Sequence, residues 1–232
     1  MDLSRIVAVI PAFEAQASIA KVVEETRKIL PRVLVVDDGS QDGTGDLAEA
    51  AGAEVLRHSH NQGKGAALRS AFRFLFSQQV DAVVTLDADG QHLPSEIPKL
   101  LDGAASGAWL VLGTRDRLFA EMSPLRRRSN GISSFLISLA AGKRFHDIQT
   151  GFRFYRRELI EATGFPEDRF DAESALVVRA ARRRFAIVTV PIELGFVDGR
   201  STSHYRPLVD SFRIGRSVLR ARFLDPLFPP KF

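Results

Sequence analysis

The segment Leu86–His92, LDADGQH, places two aspartates one residue apart behind an apolar run. Carboxylates that close repel each other unless a cation, a proton or solvent separates them. Hard divalent cations such as Mg2+ or Mn2+ prefer carboxylate and phosphate oxygens and keep part of their shell for water and substrate. Asp87 and Asp89 are two apart, so an extended segment points both the same way, toward one ion or toward an ion and a ribose. Gln91 and His92 follow in place to complete or orient that shell. A solvated acidic turn is the simpler alternative; the position of the pair at a strand end, beside a second acidic strand end, argues for the cation. A phosphatase with an aspartate nucleophile would need D-x-D-G-[TV] on its first strand, and the fifth residue here is Gln91. A calcium loop of the EF-hand kind would need Glu where Pro98 stands.

The second acidic site is VVDDGSQDGT, in which Asp37 and Asp38 end an apolar strand and Gly39 permits a tight turn. Carboxylates there can accept hydrogen bonds from a nucleobase N–H or from ribose hydroxyls. Capping of the next helix by Ser40 or Asp42 explains Asp42 and leaves the doublet unexplained. In NQGKGAA, Asn61–Ala67, two glycines flank Lys64 at a helix start, where backbone N–H groups and the ammonium suit a diphosphate; an ordinary glycine-rich turn is the alternative. Neither G-x-x-x-x-G-K-[ST] nor G-x-G-x-x-G occurs.

The elements that must position these residues alternate. Strand patterns fall at Arg5–Ile10, Arg32–Val36, Glu54–Arg57 and Val80–Leu86, with helical spacing over Ala17–Leu30, Thr44–Ala51 and Gly65–Ser77 between them. Such alternation predicts an α/β fold with a mainly parallel sheet covered on both faces, and ligands then bind beyond the carboxyl ends of the strands. Pro11–Glu14, Asp37–Ser40 and Asp87–His92 all fall at such ends. The second half is less regular: strands at Ala108–Leu112, Phe152–Tyr155 and Ala186–Glu193, and helices at Leu125–Ala141 and Ala172–Arg184. The 232 residues, 45% hydrophobic, suit one such domain whose C-terminal half completes the site.

With no cysteine in the chain, disulfides and thiolate metal sites are excluded. The apolar run before Pro11 is too short for a signal-peptide core, and no stretch approaches a membrane span. The expectation is a protein that is neither exported by that route nor membrane-spanning. A net charge of +4 conceals clustered arginines, at Arg126–Arg128, Arg156–Arg157, Arg182–Arg184 and from Arg200 to Arg222, which suit anionic partners. Nucleic acid is not expected, because aromatic platforms do not interleave with these clusters.

IPAFEA, VVDDGSQDGT, NQGKGAA, LDADGQH and DIQTGFR occur in this order from about Arg5 to Arg206. The ordered set resembles the family 2 glycosyltransferases of GT-A fold, most closely the polyprenyl-phosphate, dolichol-phosphate-mannose-synthase-like branch. The resemblance implies a GT-A domain over residues 1–206, with 207–232 as an amphipathic basic tail. It also implies metal-dependent, inverting transfer of a sugar from a UDP- or GDP-sugar to a polyprenyl phosphate at the cytoplasmic membrane face. By the same resemblance Pro11, Glu14, Asp37, Asp38, Lys64, Asp87 and Ala88 meet the nucleotide sugar. Asp87, Asp89 and Gln91 hold Mg2+ or Mn2+, and Arg115 with Lys64 stabilises the charge on the departing diphosphate. Asp147 is placed at the reacting centre, and Glu173 is a second candidate carboxylate. Because a phosphomonoester is already largely ionised at neutral pH, Asp147 is expected to position the acceptor rather than deprotonate it.

Arg126 and Arg127 match a family stretch that meets the acceptor phosphate, while Arg200, Ser201 and Ser203, in the loop that carries His204, resemble an acceptor loop that closes over it. On the tail, Leu208, Phe212, Gly215, Leu219 and Phe223 form one helical stripe beside Arg213, Arg216 and Arg220. Such a helix either lies on an anionic membrane as a peripheral contact or packs on the domain. Processive polymer synthesis is not expected, since Q-x-x-R-W is absent and the only tryptophan is Trp109. A soluble saccharide or protein acceptor, and a non-catalytic nucleotide-binding protein on the same fold, are the rival readings.

Overall fold

A computed structural model describes residues 1–115, 124–145, 147–195 and 207–225. Among these residues seven strands form one sheet: β1 (Ile6–Ala12), β2 (Arg32–Asp37), β3 (Glu54–Arg57), β4 (Ala82–Thr85), β5 (Leu110–Thr114), β6 (Arg153–Arg156) and β7 (Ile187–Pro191), in spatial order β3-β2-β1-β4-β6-β5-β7. β1 pairs in parallel with β2 and β4, β2 with β3, and β5 with β7. β6 alone runs antiparallel, inserted between β4 and β5. The expected mainly parallel sheet is present, and all the parallel strands end at one edge.

Among the described residues, eight α-helices cover the sheet: α1 (Ile19–Arg27), α2 (Thr44–Ala50), α3 (Lys64–Phe76), α4 (Ile97–Ala105), α5 (Pro124–Ala141), α6 (Arg157–Thr163), α7 (Asp171–Arg182) and α8 (Pro207–Phe223). The period-2 alternation of β1 sends Val7 and Val9 into one core and Ile6, Ala8 and Ile10 into the other. The first core is closed by α3, α5, α6, α7 and α8, the second by α1, α2 and α4. Pro11 is accommodated because β4 pairs with β1 only as far as Val9, so no partner on that side needs its missing N–H.

Two helices, α4 and α6, lie where the sequence reading placed none. The tail helix α8 joins the first core through Ile214, Val218 and Ala221, and Ser217 Oγ donates to Asp171 Oδ2 of α7 at 2.6 Å. Of the stripe read from the sequence, Phe212, Leu219 and Phe223 are exposed, as the membrane-facing alternative requires, while another face packs on the domain. Ile214 and Val218, one position off that stripe, are buried in the first core. Leu208 lies among positions whose side chains fall outside the described residues.

Candidate active site

At the carboxyl edge of the sheet the loops after β1 and β2 are laced together. Glu14 adopts φ of 49°, a left-handed conformation costly for a residue with a side chain, and its N–H donates to Ser40 Oγ at 2.9 Å. Ala15 N–H donates to Thr44 Oγ1 and Gln16 N–H to Asp42 Oδ2, at 2.8 and 3.0 Å. Asp37 Oδ1 accepts from the N–H of Ser40 at 2.9 Å, turning the chain back on itself.

Asp38, expected at the nucleoside, has both oxygens engaged inside the protein. Oδ1 accepts from Gln62 N–H and lies 2.7 Å from His58 Nδ1, and Oδ2 accepts from Gly63 N–H at 2.7 Å. His58 Nε2 in turn lies 2.9 Å from Ser70 Oγ. The order Asp–His–Ser is that of a hydrolase relay, but Ser70 sits within α3, where backbone N–H groups are consumed by the helix and none is free as an oxyanion donor. The chain ties β2 to α3.

At the glycine-rich start of α3, the N–H groups of Gln62 and Gly63 donate to Asp38, and that of Ala66 donates to the Asp168 carbonyl at 3.0 Å. Gly63 and Gly65 are small because the 167–169 backbone presses on them; a Cβ at either would fall 2.5 Å from a carbonyl oxygen. The side chain of Lys64 does reach the site. Its ammonium lies 2.6 Å from Asp87 Oδ1 and 3.1 Å from Glu173 Oε2.

Asp87 and Asp89 do not extend the strand. β4 stops at Thr85, and residues 88–90 turn, with Gly90 at φ of 76°. Asp89 Oδ1 accepts from Gln91 N–H at 3.0 Å, and the Ala88 carbonyl accepts from Ser18 Oγ at 2.7 Å. His92 braces the turn from behind: Nδ1 accepts from Asp87 N–H at 3.0 Å, Nε2 lies 3.4 Å from Thr150 Oγ1, and the ring stacks on Phe152. Burial holds this imidazole below its ordinary pKa, so the neutral form that can accept at Nδ1 is favoured.

Burial would raise the carboxyl of Asp87, but Lys64 and His92 overcome it and bring it down to about 2. Asp89 moves the other way, pushed up by burial and by the Asp87 charge. Among the described residues neither Asp87 Oδ2 nor Asp89 Oδ2 accepts a hydrogen bond, and no three acidic or histidine side chains converge as a complete metal cage. Two adjacent carboxylates, each with an oxygen that takes no hydrogen bond from the described residues, fit a divalent cation whose remaining ligands would come from a diphosphate and water.

Arg115 follows β5 directly, and its guanidinium grips Asp147 with both arms: Nε to Oδ2 at 2.8 Å and Nη2 to Oδ1 at 3.0 Å. Asp147 is fully buried and also accepts from the N–H groups of Arg115 and Gln149. Burial opposes its charge, yet these bonds hold its carboxyl below the usual range. These contacts favour the ionised form of the Asp147 carboxylate.

Sequence reasoning missed Arg153. Its fully buried guanidinium donates to the carbonyls of Thr150 and Glu173 at 2.8 Å each and to that of Ile148, so it fixes the segment that follows Asp147. Thr85 Oγ1 donates to the Gly151 carbonyl, and a Cβ at Gly151 would strike the Lys64 ammonium at 2.4 Å and both Asp87 oxygens. The only sequence signal was an arginine opening a strand that must be buried on both faces. Arg126 and Arg127 lie in α5 with side chains outside the described residues, and Arg200, Ser201, Ser203 and His204 lie outside them entirely.

The family model for glycosyl transferase family 2 matches residues 7–164. A polyprenol monophosphomannose synthase of Mycolicibacterium smegmatis is 32% identical over 94% of this chain and 88% of its own. An undecaprenyl-phosphate mannosyltransferase of Micrococcus luteus is 32% identical over 81% of this chain and 82% of its own. The crystal structure of glucosyl-3-phosphoglycerate synthase from Mycobacterium tuberculosis, in complex with Mn2+, UDP and phosphoglyceric acid, superposes with a TM-score of 0.73 at 22% identity, covering 98% of this chain and 80% of that one. The fold is GT-A. The chain belongs to glycosyl transferase family 2.

Proposed function

We propose that this glycosyltransferase moves a sugar, with inversion, from a nucleotide-diphosphate sugar to a polyprenyl phosphate at a membrane surface. The observation that carries the reading is the convergence of the Asp87–Asp89 turn, Lys64 and the Arg115–Asp147 pair at one sheet edge. The similarity to transferases named for polyprenol and undecaprenyl phosphate supports the acceptor class. Asp87, Asp89 and Gln91 would hold Mg2+ or Mn2+, which when bound neutralises charge on the departing diphosphate. Lys64 adds a fixed positive charge beside it, and Pro11, Glu14 and Asp37 line the nucleoside end. Asp147, locked by Arg115, orients an acceptor phosphate that is already an anion. Arg126, Arg127, Arg200 and Ser201 are assigned to that phosphate.

Peripheral membrane contact is supported by the outward faces of α5 and α8, which pack on each other in the first core. Among the described residues, seven of the nine exposed large hydrophobics lie in or directly after these two helices: Phe135, Leu136, Leu139, Phe212, Leu219, Phe223 and Leu224. An apolar groove of ≈ 600 Å³ runs beside Phe135 and Leu139 to Lys143 and Arg144. Residues 124–145 contain five cations and no carboxylate, which complements an anionic bilayer. No helix among the described residues is long and apolar enough to cross a membrane.

Purified protein incubated with UDP- and GDP-hexoses, Mn2+ and undecaprenyl phosphate in detergent tests the reading. The expected result is a lipid-linked sugar formed in step with nucleoside diphosphate release. Product formed only on soluble saccharides would move the acceptor, and no release with any acceptor would overturn the catalytic reading.

A further inference from the structure

Lys64 holds two carboxylates at once, and they belong to different parts of the chain. Asp87 lies on the turn assigned to the cation; Glu173 lies in the first turn of α7, with its side chain only 7% exposed. Glu173 Oε2 binds the Lys64 ammonium at 3.1 Å, while Oε1 has no hydrogen-bond partner among the described residues and lies 3.7 Å from Arg153 Nε. A buried acceptor left short of donors is costly, so this geometry persists because the surrounding structure imposes it. Gly151 keeps the space: any side chain there would drive the ammonium off Asp87.

We infer that Lys64 is a resident counter-ion for Asp87 that a divalent cation must displace, and that Glu173 is a positioning residue which retains the displaced ammonium inside the site. The inference rests on the metal-dependent reading given above. In the substrate-free protein, Asp87 Oδ1 is occupied by Lys64, so a cation arriving at the turn meets a positive charge already seated. Moved off Asp87 with no second partner, the ammonium would be a buried unpaired charge, and the cost would fall on cation binding. With Glu173 as its second partner, already in contact, the ammonium has only to shift its weight from one carboxylate to the other. It then stands beside the cation, free on one side to meet a diphosphate oxygen. No bond to carbon or phosphorus forms or breaks in this exchange. Its function is to offset part of the turn's negative charge when the turn is empty and to add positive charge beside the cation when it is filled.

The arrangement gives opposite signs to two substitutions. Lys64→Gln removes the competitor, so Mn2+ alone should bind roughly tenfold more tightly, in line with the usual strength of a close charge on a carboxylate. Turnover should nevertheless fall. Glu173→Gln, equal in shape, should weaken Mn2+ roughly tenfold by the same reasoning. Glu173 acts only through Lys64, so in the Lys64→Gln background the Glu173→Gln change should leave Mn2+ affinity within about twofold of its parent. A general field effect of Glu173 would instead weaken Mn2+ equally in both backgrounds.

The experiment is Mn2+ titration by calorimetry of wild type, the two single variants and the double variant, each shown folded by near-ultraviolet circular dichroism. Lys64→Met, similar in length and uncharged, replaces Lys64→Gln if that variant does not fold. Opposite signs with loss of the Glu173 effect in the double variant support the exchange. Equal Glu173 effects in both backgrounds, or weaker Mn2+ binding in the Lys64 variant, overturn it. Failure of wild type to bind Mn2+ with or without UDP would instead remove the metal-dependent reading itself.

Discussion

Arg115 and Asp147 meet edge to edge, two parallel hydrogen bonds of 2.8 and 3.0 Å joining a residue at the end of β5 to one 32 positions later. The fork geometry is specific to a guanidinium. Arg115→Lys should therefore retain the charge, lose the second bond and lower turnover by at least tenfold, with a small change in melting temperature. Asp147→Asn leaves Arg115 buried without its counter-charge and should cost about 3–5 kcal/mol of stability. Chemical denaturation of both variants beside their transfer rates checks the contrast; equal destabilisation by the two would contradict it.

Asp89 carries charge against its surroundings, because burial and Asp87 both oppose its ionisation. Asp89→Asn should raise the melting temperature of the ligand-free protein while abolishing both the Mn2+-dependent stabilisation and turnover. Thermal shift with and without Mn2+ and UDP reads this directly. A variant less stable than wild type in the absence of ligand would show that the repulsion is relieved some other way.

Asp87 has its carboxyl lowered from 3.8 to about 2, so its charge contributes stability above the ordinary carboxylate range, and that contribution is lost as pH falls toward 2. Asp89 has the opposite sign, since its penalty disappears as pH falls through its raised value. Lys64→Gln removes the main attraction on Asp87 and should move the onset of acid unfolding to higher pH. Acid titration followed by circular dichroism compares the two onsets; superimposable curves would deny Lys64 this role.

Gly151→Ala introduces a methyl group 2.4 Å from the Lys64 ammonium and 2.7 and 2.9 Å from the Asp87 oxygens. Both groups end flexible side chains, so the fold should survive with a modest loss of stability while the Lys64–Asp87 contact is broken. The expected signature is weaker UDP binding in the presence of Mn2+ by calorimetry. Unchanged binding would show that the pair can be rebuilt around a Cβ.

The outward faces of α5 and α8 should bring the protein to anionic vesicles and not to neutral ones, with binding that weakens as salt rises. Phe135→Ser with Leu139→Ser, and separately Phe212→Ser with Phe223→Ser, should each reduce co-sedimentation with phosphatidylglycerol vesicles. Retained binding by both pairs would place the contact elsewhere, and a change in oligomeric state on gel filtration would assign the face to a second copy of the chain.

Much of this was legible in the sequence because its signals are local. The strands β1 to β4 announce themselves as apolar runs, and Asp37, Lys64, Asp87 and Asp89 stand at their ends or at helix starts. What stayed hidden depends on distant partners. Asp37 and Asp38 are indistinguishable as a doublet, and only the arrival of His58, Gln62 and Gly63 turns Asp38 inward. Pro98 and Gly103 disguised α4, and Arg156–Arg157 read as a surface cluster although one closes β6 and the other opens α6. The tail stripe was drawn through the large aromatics, whereas the core took Ile214 and Val218. Arg153 spends its donors on main-chain carbonyls, a role without any residue-type signature.

Since β6 runs against its neighbours between β4 and β5, an interior position of the sheet is filled only after both flanking strands have been synthesised. A nascent chain that ends before Arg153 carries two unpaired inner edges, and its Lys64–Asp87 pair lacks the wall supplied by Gly151. Such long-range closure is slow relative to local pairing and leaves strand edges open to other chains meanwhile. The gap between β4 and β5 thus closes only when the C-terminal half arrives, and with it come Gly151 and Glu173, the groups that surround the Lys64 ammonium.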